Sequence, residues 1–496
     1  MARSFLPLAA KRWLYLIHRW IGVASCLLFL LWFLSGLVML YVPYPALTER
    51  EALAGQPPIE WSKVHVSPRE AEQLAGVPEQ PRAMRLEMMA DRPVWRVTGR
   101  RGELVTIDAE SATLVRDVGS AEAARIASAF GRAPVAAVAA VERDQWTVAG
   151  RFDPHRPLWC AALKGPGGRA LYVSSRTGAV LLDTDAHERF WKWLGAVPHW
   201  LYPTALRQHP EGWRQVVIWV AGPCVLAAIT GMWIGLLRVR LGRRRFKGGR
   251  VTPYRGWMLW HHAAGLTGGV MLTLWIVSGW LSVDPGHLFQ STGLSKSATL
   301  RFEQAGLPPI DALGLSAVAP RQTVRLEVVR AAGLVWLELR SPGRRLVVAA
   351  DGGRTPPNAT RLLRAARLLV PAGAAARVTR LTAPDFYWYE VGSEPQLPVL
   401  RLRFQDPSAT WLYLDPATGA VLSSIDRRGR VYRFAYDLLH RWDAAALIVN
   451  PPARRAWIWL FSIAGIVTSV SGVLLGWRRA TRTIILRRLR ARPAPS

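Results

Sequence analysis

Four histidines occupy matched positions in the two halves of the chain. His18 corresponds to His261 at an offset of 243 residues, and His199 corresponds to His440 at an offset of 241. Imidazole is a common axial ligand of haem iron, and two imidazoles on one iron leave no open position, which suits electron transfer rather than oxygen binding. We therefore predict two haems, one with His18 and His261 as iron ligands and the other with His199 and His440.

A lone histidine in a membrane helix is better explained by a hydrogen bond between helices. Four histidines in two matched pairs favour ligation instead, because such side chains are costly in a membrane and mark functional sites. The neighbouring His262 has no counterpart in the first half. It is an alternative ligand to His261, since one residue of helix register, about 100°, decides which ring faces inward. Arg19 and Arg441 each follow a candidate ligand and are candidate contacts of haem propionates.

Small and aromatic residues surround the candidate ligands. His18 and His261 are each followed four residues later by a glycine, Gly22 and Gly265, which would leave room for a flat macrocycle beside the helix. Tryptophans are frequent in the same apolar stretches. They would either pack against the macrocycles or form an aromatic belt at the membrane surface, and the belt is favoured for most of them.

Four apolar stretches are long enough to hold these histidines in a membrane. Each has about twenty or more residues with almost no charge, as a ~30 Å hydrocarbon core requires. The predicted transmembrane helices are 13–42, 214–237, 257–283 and 455–477. The first is too long for the apolar region of a signal peptide and lacks a small-residue cleavage site, so we expect it to be retained.

The distribution of charge predicts the orientation of these helices. The net charge is +30, and arginine is concentrated in the short loop 238–256 and the tail 478–496. Short basic flanks mark the cytoplasmic side, where anionic lipids would hold them. We therefore predict a multi-pass protein of the bacterial inner membrane with both termini cytoplasmic, the first being residues 1–12, and with segments 43–213 and 284–454 in the periplasm. The charge then requires no nucleic acid partner.

The two halves are predicted to be copies of one unit. Residues 171–181 match residues 412–422 at the offset of 241, and both contain a Thr-Gly turn where glycine is expected to adopt a positive φ. Because each half crosses the membrane an even number of times, the repeat is parallel, about an axis along the membrane normal. Alternating apolar and polar runs beside alanine-rich helices predict two helix-plus-sheet modules in each exported segment.

The chain is similar over nearly its whole length to the PepSY-associated transmembrane proteins, a family that includes siderophore reductases. The resemblance rests on the strand–turn patterns 172–180 and 413–421, on Asp-Gln-Trp at 144–146 and Asp-Phe-Tyr at 385–387, and on His-Arg-Trp-Ile-Gly at 18–22. It implies a membrane α-helical fold of four transmembrane helices with two extracytoplasmic α+β PepSY-like domains. It also implies b-type haem in the helices and a role in iron acquisition.

From the residues and the resemblance we expect a transmembrane electron conduit. A cytoplasmic donor or a membrane quinol would supply electrons, and a periplasmic ferric siderophore or another iron chelate would accept them and release Fe(II). No catalytic residue is assigned. Exported arginines would attract anionic chelates by electrostatic steering, although a solvated charged face is the more ordinary explanation. These arginines include Arg96, Arg100, Arg101, Arg340, Arg344, Arg345, Arg401 and Arg403.

The sequence leaves three other functions to be weighed. Exported domains that bind peptides or regulate a protease would need no haem and would leave the histidine pairs unexplained. A transporter is disfavoured because no helix is expected to be broken at mid-depth. A haem conduit to a different periplasmic acceptor agrees with the same residues. Flavin or nicotinamide binding is unsupported, because the chain has no Gly-rich nucleotide loop and only short cytoplasmic segments.

Overall fold

The computed structural model describes residues 7–291, 293–351, 357–370, 376–390 and 395–490. The chain forms two compact units. The helical unit comprises Met1–Tyr44, Trp191–Gln290 and Val431–Ser496, and the sheet unit comprises Pro45–Phe190 and Ser291–Arg430. The extreme ends of the predicted cytoplasmic termini, 1–6 and 491–496, lie outside the described residues.

Helices and strands are numbered separately in chain order. The helices are α1 (Leu8–Met39), α2 (Glu49–Gly55), α3 (Pro68–Ala75), α4 (Ser120–Gly131), α5 (Ala186–Leu194), α6 (Ala196–His199), α7 (Thr204–Arg207), α8 (Pro210–Leu237), α9 (Trp257–Thr267), α10 (Gly269–Leu281), α11 (Lys296–Glu303), α12 (Ala312–Val318), α13 (Ala359–Ala366), α14 (Arg427–Tyr432), α15 (Leu439–Arg441), α16 (Ala445–Ile448) and α17 (Pro451–Arg490). The strands are β1 (Ala83–Met89), β2 (Arg92–Thr98), β3 (Leu104–Asp108), β4 (Leu114–Val115), β5 (Val135–Val141), β6 (Leu158–Leu163), β7 (Ala170–Ser174), β8 (Val180–Thr184), β9 (Arg325–Ala331), β10 (Leu334–Ser341), β11 (Arg344–Ala349), β12 (Ala376–Leu381), β13 (Val399–Phe404), β14 (Trp411–Leu414) and β15 (Val421–Ile425).

Among the described residues of the helical unit, three helices are long and apolar enough to cross a membrane. They are Ala9–Met39 in α1, Pro210–Leu237, which is α8, and Pro451–Thr481 in α17, and they coincide with three of the four predicted transmembrane segments. The fourth prediction, 257–283, falls on the pair α9 and α10. The count reaches four if that pair forms one span.

The pair α9 and α10 is bent by 68°, so the expectation that no helix is broken is wrong. The break falls at two consecutive glycines, Gly268 and Gly269, which weaken a helix because they carry no side chain. Neighbouring side chains fill the space that side chains here would need. A Cβ atom at Gly268 would lie 2.7 Å from Ala464 Cβ, and one at Gly269 would collide with Met232. Packing by α8 and α17 therefore accompanies the bend.

The described part of the sheet unit contains three antiparallel sheets, one of which is built from both long segments of the chain. Its strand order is β11-β10-β9-β1-β2-β3-β4, and β1 joins β9 with Leu86 opposite Leu326. Both leucines are fully buried beside Trp95 and Ile107 in one apolar core. The other two sheets, β5-β6-β7-β8 and β12-β13-β14-β15, each come from one segment. Each segment contains two groups of strands, as the prediction of two modules requires. The first groups of the two segments, β1–β4 and β9–β11, join in one common sheet instead of forming two separate ones.

Local sequence signals explain the individual elements. The helix α3 begins after Ser67, whose side chain and that of Glu70 form a capping box, and ends at Gly76 in the left-handed conformation. The two Thr-Gly turns have the predicted glycine geometry, with φ of 68° at Gly178 and 79° at Gly419. A methyl group at Gly178 would also collide with Met89. Glycine is therefore required there by both backbone conformation and packing.

A buried carboxylate lies among arginines in the shared sheet. Glu87 is ion-paired with Arg96 and lies 3.5 Å from the guanidinium of Arg325. Burial alone would raise the pKa of Glu87, but the charges of Arg85, Arg96 and Arg325 outweigh it and lower the pKa to about 2. Arg96 and Arg401 were expected on a solvated, ligand-attracting face. That expectation is wrong for these two, because both side chains are buried.

Candidate functional site

The first histidine pair, His18 and His261, lies between the membrane helices. The centres of the two imidazole rings are 6.3 Å apart and the ring planes are inclined by 49°. His18 is on α1 and its Nδ1 lies 2.9 Å from the carbonyl oxygen of Ala227 on α8. His261 is on α9 and its Nδ1 lies 2.9 Å from the carbonyl oxygen of Thr468 on α17. Four helices therefore position this pair. Helices α1 and α9 carry the two histidines, and carbonyl groups of α8 and α17 accept their hydrogen bonds.

The second histidine pair, His199 and His440, has an equivalent arrangement. Its ring centres are 6.1 Å apart and its ring planes are inclined by 63°. Nδ1 of His199 lies 3.1 Å from the carbonyl oxygen of Trp32 on α1, and Nδ1 of His440 lies 3.1 Å from that of Trp275 on α10. The predicted pairing of the four histidines is thus the one that the structure brings together.

Serine hydroxyl groups add a second contact at three of the four rings. Ser35 Oγ lies 3.1 Å from His199 Nδ1, Ser278 Oγ lies 3.2 Å from His440 Nδ1, and Ser471 Oγ lies 3.2 Å from His261 Nδ1. The equivalent hydroxyl near His18 belongs to Thr230, which bonds instead to backbone carbonyl groups of its own helix.

The hydrogen bonds fix the chemistry of all four rings. A carbonyl oxygen can only accept a hydrogen bond, so each Nδ1 carries the proton and donates it. Each Nε2 then keeps a lone pair available for a metal. This is the arrangement by which proteins orient metal-bound histidines, because the donated proton fixes the tautomer and raises the basicity of the ligand.

The spacing within each pair fits a metal between the rings. Two metal–nitrogen bonds of about 2 Å each, plus roughly 1 Å from each nitrogen to its ring centre, require a separation of about 6 Å. The observed separations are 6.3 and 6.1 Å. Among the described residues, no group of three or more His, Cys, Asp or Glu side chains could hold a metal ion. Two imidazoles alone suit iron that a macrocycle already holds, and the residues therefore fit haem.

Glycines allow the rings to lie against neighbouring helices. A Cβ atom at Gly231 would lie 2.5 Å from His18 Cε1, and one at Gly472 would lie 3.5 Å from His261 Cε1. Glycines at 36 and 279 serve the second pair in the same way, since a Cβ atom at either would lie 3.1 Å from Cε1 of His199 or His440. Sequence reasoning assigned these four glycines no role. The sequence did contain a signal for them, because Gly36 corresponds to Gly279 at the offset of 243 and Gly231 corresponds to Gly472 at the offset of 241.

Gly22 and Gly265, the glycines that the sequence analysis singled out, do not lie against a histidine ring. A Cβ atom added at either position would meet no imidazole within 4 Å. A Cβ atom at Gly22 would meet nothing within 4 Å, and one at Gly265 would lie 3.5 Å from the methyl group of Thr468. Gly22 therefore faces open space.

The ring of the alternative ligand His262 is bound by residues outside both pairs. Its Nε2 lies 3.0 Å from the carbonyl oxygen of Gly235, its Nδ1 lies 3.1 Å from Thr252 Oγ1, and Tyr254 packs edge-on against the ring. Both ring nitrogens are thus engaged, and the ring attaches the loop after α8 to the start of α9. The structure places His261, and not His262, opposite His18.

The two arginines predicted near haem propionates have different surroundings. Arg19 is exposed on α1. Arg441 lies 3.3 Å from carboxylate oxygens of both Asp437 and Asp443, and Asp443 is also paired with Arg454 at 2.9 Å. Arg441 is therefore paired with protein carboxylates in this structure.

The tryptophans divide between the two predicted roles. Trp13, Trp20 and Trp260 are more than half exposed on the surfaces of their helices, as an aromatic belt requires. Trp275 is buried, and its Nε1 donates a hydrogen bond of 2.9 Å to the carbonyl oxygen of His440. Trp275 thus positions the backbone of one member of the second pair.

Helix α1 sets the distance between the two pairs. It carries His18, and it binds His199 through Trp32, fourteen residues further on. At 1.5 Å per residue the two sites are about 21 Å apart along the helix, which is most of the thickness of a hydrocarbon core. The pairs are therefore placed near opposite ends of the apolar helices.

The chain is therefore a helical membrane protein whose apolar helices hold two pairs of imidazole rings. A family model described as the PepSY-associated TM region matches residues 15–343. The chain belongs to this family, as the sequence suggested. The match includes His18, His199 and His261 and ends before His440. No curated protein matches the chain.

Proposed function

We propose that this protein is a membrane-bound oxidoreductase that carries electrons through two b-type haems to a ferric siderophore. The observation that supports this most directly is the equivalence of the two histidine pairs, each with its rings about one imidazole–metal–imidazole span apart. In this proposal the halves arose by duplication and the bent pair α9 and α10 is the fourth span.

The chain's own residues would hold the cofactor and prevent other reactions. Each histidine pair would supply two lone pairs to one haem iron, and the carbonyl groups of Ala227, Thr468, Trp32 and Trp275 hold the rings by accepting their Nδ1 protons. Haem, when bound, supplies a one-electron Fe(III)/Fe(II) couple. Two protein ligands per site leave no position for oxygen or water, so the sites would transfer electrons without other chemistry.

The direction of transfer follows from the predicted topology. With the basic loop 238–256 in the cytoplasm, His18 and His261 lie near the cytoplasmic face and His199 and His440 near the periplasmic face. A cytoplasmic donor or a quinol would reduce the first site, and the sheet unit, as PepSY-like domains in the periplasm, would lie on the side of the acceptor. Reduction would release the iron, because hard oxygen donors hold Fe(III) much better than Fe(II).

The test is the reduced-minus-oxidised absorption spectrum of the detergent-purified protein, with haem quantified per chain. We expect two b-type haems in the wild type. His18→Ala and His261→Ala should lose one of them, and His199→Ala and His440→Ala should lose the other. His262→Ala is the matched control and should keep both. A colourless wild-type protein from cells with ample haem would overturn the proposal and favour a peptide-binding role for the sheet unit.

A further inference from the structure

Three arginines surround one tryptophan in the sheet β12-β13-β14-β15. The guanidinium carbon of Arg403 is 4.3 Å from the ring centre of Trp411, that of Arg430 is 4.4 Å away, and that of Arg401 is 5.2 Å away. Tyr387 packs edge-on against the same indole with 5.0 Å between ring centres. We call Arg401, Arg403, Arg430, Trp411 and Tyr387 the arginine–tryptophan cluster.

Most of this cluster has no equivalent in the first half of the chain. At the offset of 241, Arg401 corresponds to Cys160, Arg403 to Ala162 and Trp411 to Ala170. The first-half strands β6 and β7 nevertheless pair as β13 and β14 do. The sheet therefore folds without Arg401, Arg403 and Trp411, which are additions to the common scaffold. Arg430 corresponds to Arg189, which donates to the matching carbonyl oxygens of Thr184 and Gly168.

The cations of the cluster exceed the nearby carboxylates. Arg401 is buried and paired with Asp385 at 2.7 Å. Arg430 donates to the carbonyl oxygens of Ala409, at 2.8 Å, and Ile425. Burial lowers the pKa of Arg430, and the opposing effects of Tyr387 and Asp426 offset this only partly.

Arg403 adds a further positive charge. Its guanidinium and that of Arg430 both approach the Trp411 ring, so they are at most about 9 Å apart. At that distance two cations repel each other measurably in a partly buried site. A bound anion between them would turn this repulsion into attraction, and guanidinium groups suit oxyanions because they present paired N–H donors.

We propose that the arginine–tryptophan cluster binds the acceptor, a polyanionic metal chelate. Arg403 and Arg430 pair with its anionic oxygens, and Arg401 acts as a positioning residue that orients Trp411. This assignment rests on the proposed function for the identity of the ligand. The excess of cations selects its class, which is a polyanionic complex such as a tris-catecholate chelate rather than a neutral or cationic one.

Binding is measured apart from electron transfer with a gallium(III) tris-catecholate chelate. Gallium(III) matches iron(III) in charge and is not reduced under the same conditions. The full-length protein in detergent is titrated with this chelate by calorimetry, as wild type, Arg403→Gln, Arg430→Gln and the double variant. Arg403→Lys keeps the charge without the paired donors. The matched control is Arg344→Gln, which replaces an exposed arginine at the start of β11 in the seven-stranded sheet.

We expect each single glutamine variant to bind the gallium chelate about tenfold more weakly, and the double variant about a hundredfold more weakly. Arg403→Lys should lose less than Arg403→Gln, and Arg344→Gln should bind like wild type. Wild-type affinity should fall as salt is raised. With the ferric chelate, KM should rise in the variants while kcat stays within about twofold, because the haem sites are untouched.

The outcomes separate this inference from the proposed function. Unchanged gallium-chelate affinity in the double variant, or equal loss in Arg344→Gln, would overturn the cluster as the binding site even if iron is reduced. Arginine-dependent binding of the gallium chelate without any reduction of the ferric chelate would support the site and reject the electron-transfer function. A melting temperature equal to that of wild type excludes unfolding as the cause of a lost affinity.

Discussion

Gly231 on α8 lies directly against the imidazole ring of His18 on α1. A Cβ atom at this position would be 2.5 Å from His18 Cε1 and 2.9 Å from Nδ1, closer than real Cβ contacts. The same Nδ1 donates to Ala227 one turn earlier on α8. The hydrogen bond and the missing side chain together allow the ring to lie flat against the helix.

Gly231→Ala should therefore weaken binding of the haem that we propose at the first histidine pair. The ring of His18 must move by several tenths of an ångström or lose its hydrogen bond. Overpacking of this kind costs about 1–3 kcal/mol, or roughly 5- to 150-fold in binding. The measurement is haem content per chain together with the low-spin signal in electron paramagnetic resonance spectra. One of two signals should be lost or broadened.

Gly222→Ala, on the same helix α8, is the control for this variant, since a Cβ atom there would lie 3.4 Å from Trp280 Nε1, an ordinary contact, and would meet no histidine. Both substitutions place alanine in an apolar helix and differ only in what the methyl group contacts. Equal haem content in the two variants would show that the contact with His18 does not matter for binding.

The positions of the four histidines could be predicted from the sequence because the repeat provided the pairing. His18 and His261 fall at matched depths once the halves are aligned, and two parallel copies place equivalent residues near one axis. The repeat also contained Gly231 and Gly472, but a recurring glycine has several explanations. Only the approach of the rings to these glycines shows why a side chain is not tolerated.

Other features depend on contacts between segments far apart in the chain. The choice between His261 and His262 depends on about 100° of helix rotation, which the carbonyl group of Thr468 on another helix decides. The shared sheet depends on the pairing of β1 with β9, which no local pattern specifies. The bend at Gly268 was not foreseen, because apolar composition predicts a span and carries no information about its straightness.

The buried Glu87 predicts a pH-dependent stability of the sheet unit. Its pKa in the folded protein, about 2, is below the ordinary value of 4.5. A group with a lowered pKa stabilises the fold above its unfolded-state value, and this contribution disappears as the pH falls towards the folded value. Glu87→Gln should lower the free energy of unfolding by on the order of 3 kcal/mol at pH 7, because buried arginines lose their counter-charge. Denaturant unfolding monitored by tryptophan fluorescence measures this difference.

The difference between wild type and Glu87→Gln should shrink as the pH is lowered from about 4.5 to about 2. Glu79→Gln is the matched control, because Glu79 is 41% exposed and 3.6 Å from an arginine that is 69% exposed. That exposed pair should contribute less than about 1 kcal/mol at any pH. A Glu87→Gln penalty that stays constant from pH 7 to pH 3 would contradict the role of the carboxylate charge.

The proposed topology predicts which positions are reachable from each side of the membrane. In a background without Cys160, Arg101→Cys in the sheet unit should react with an impermeant maleimide on spheroplasts. Arg244→Cys, exposed in the basic loop after α8, should react only after the membrane is opened, because short arginine-rich loops stay in the cytoplasm. The reverse labelling pattern would mean that the chain has the opposite orientation in the membrane, with His18 and His261 on the periplasmic side.

Ser278 should affect the midpoint potential of the haem that we propose at the second histidine pair, and not that of the haem at the first pair. Its hydroxyl group donates to the carbonyl oxygen of Trp275 at 3.1 Å, so its lone pair faces the proton on Nδ1 of His440, 3.2 Å away. Ser278→Ala removes one acceptor from that proton and makes the imidazole a weaker donor to iron. Fe(III) is then less stabilised, and the midpoint potential of one haem should rise by on the order of 30 mV.

The measurement for Ser278→Ala is a potentiometric titration that resolves both haems. Ser282→Ala is the matched control, because Ser282 lies one turn further along and bonds only to the carbonyl oxygen of Gly279 through its hydroxyl group. It should leave both potentials unchanged. Equal shifts at both haems in Ser278→Ala would indicate a general loosening of the helices. A shift at neither haem would mean that the carbonyl group of Trp275 alone sets the basicity of His440.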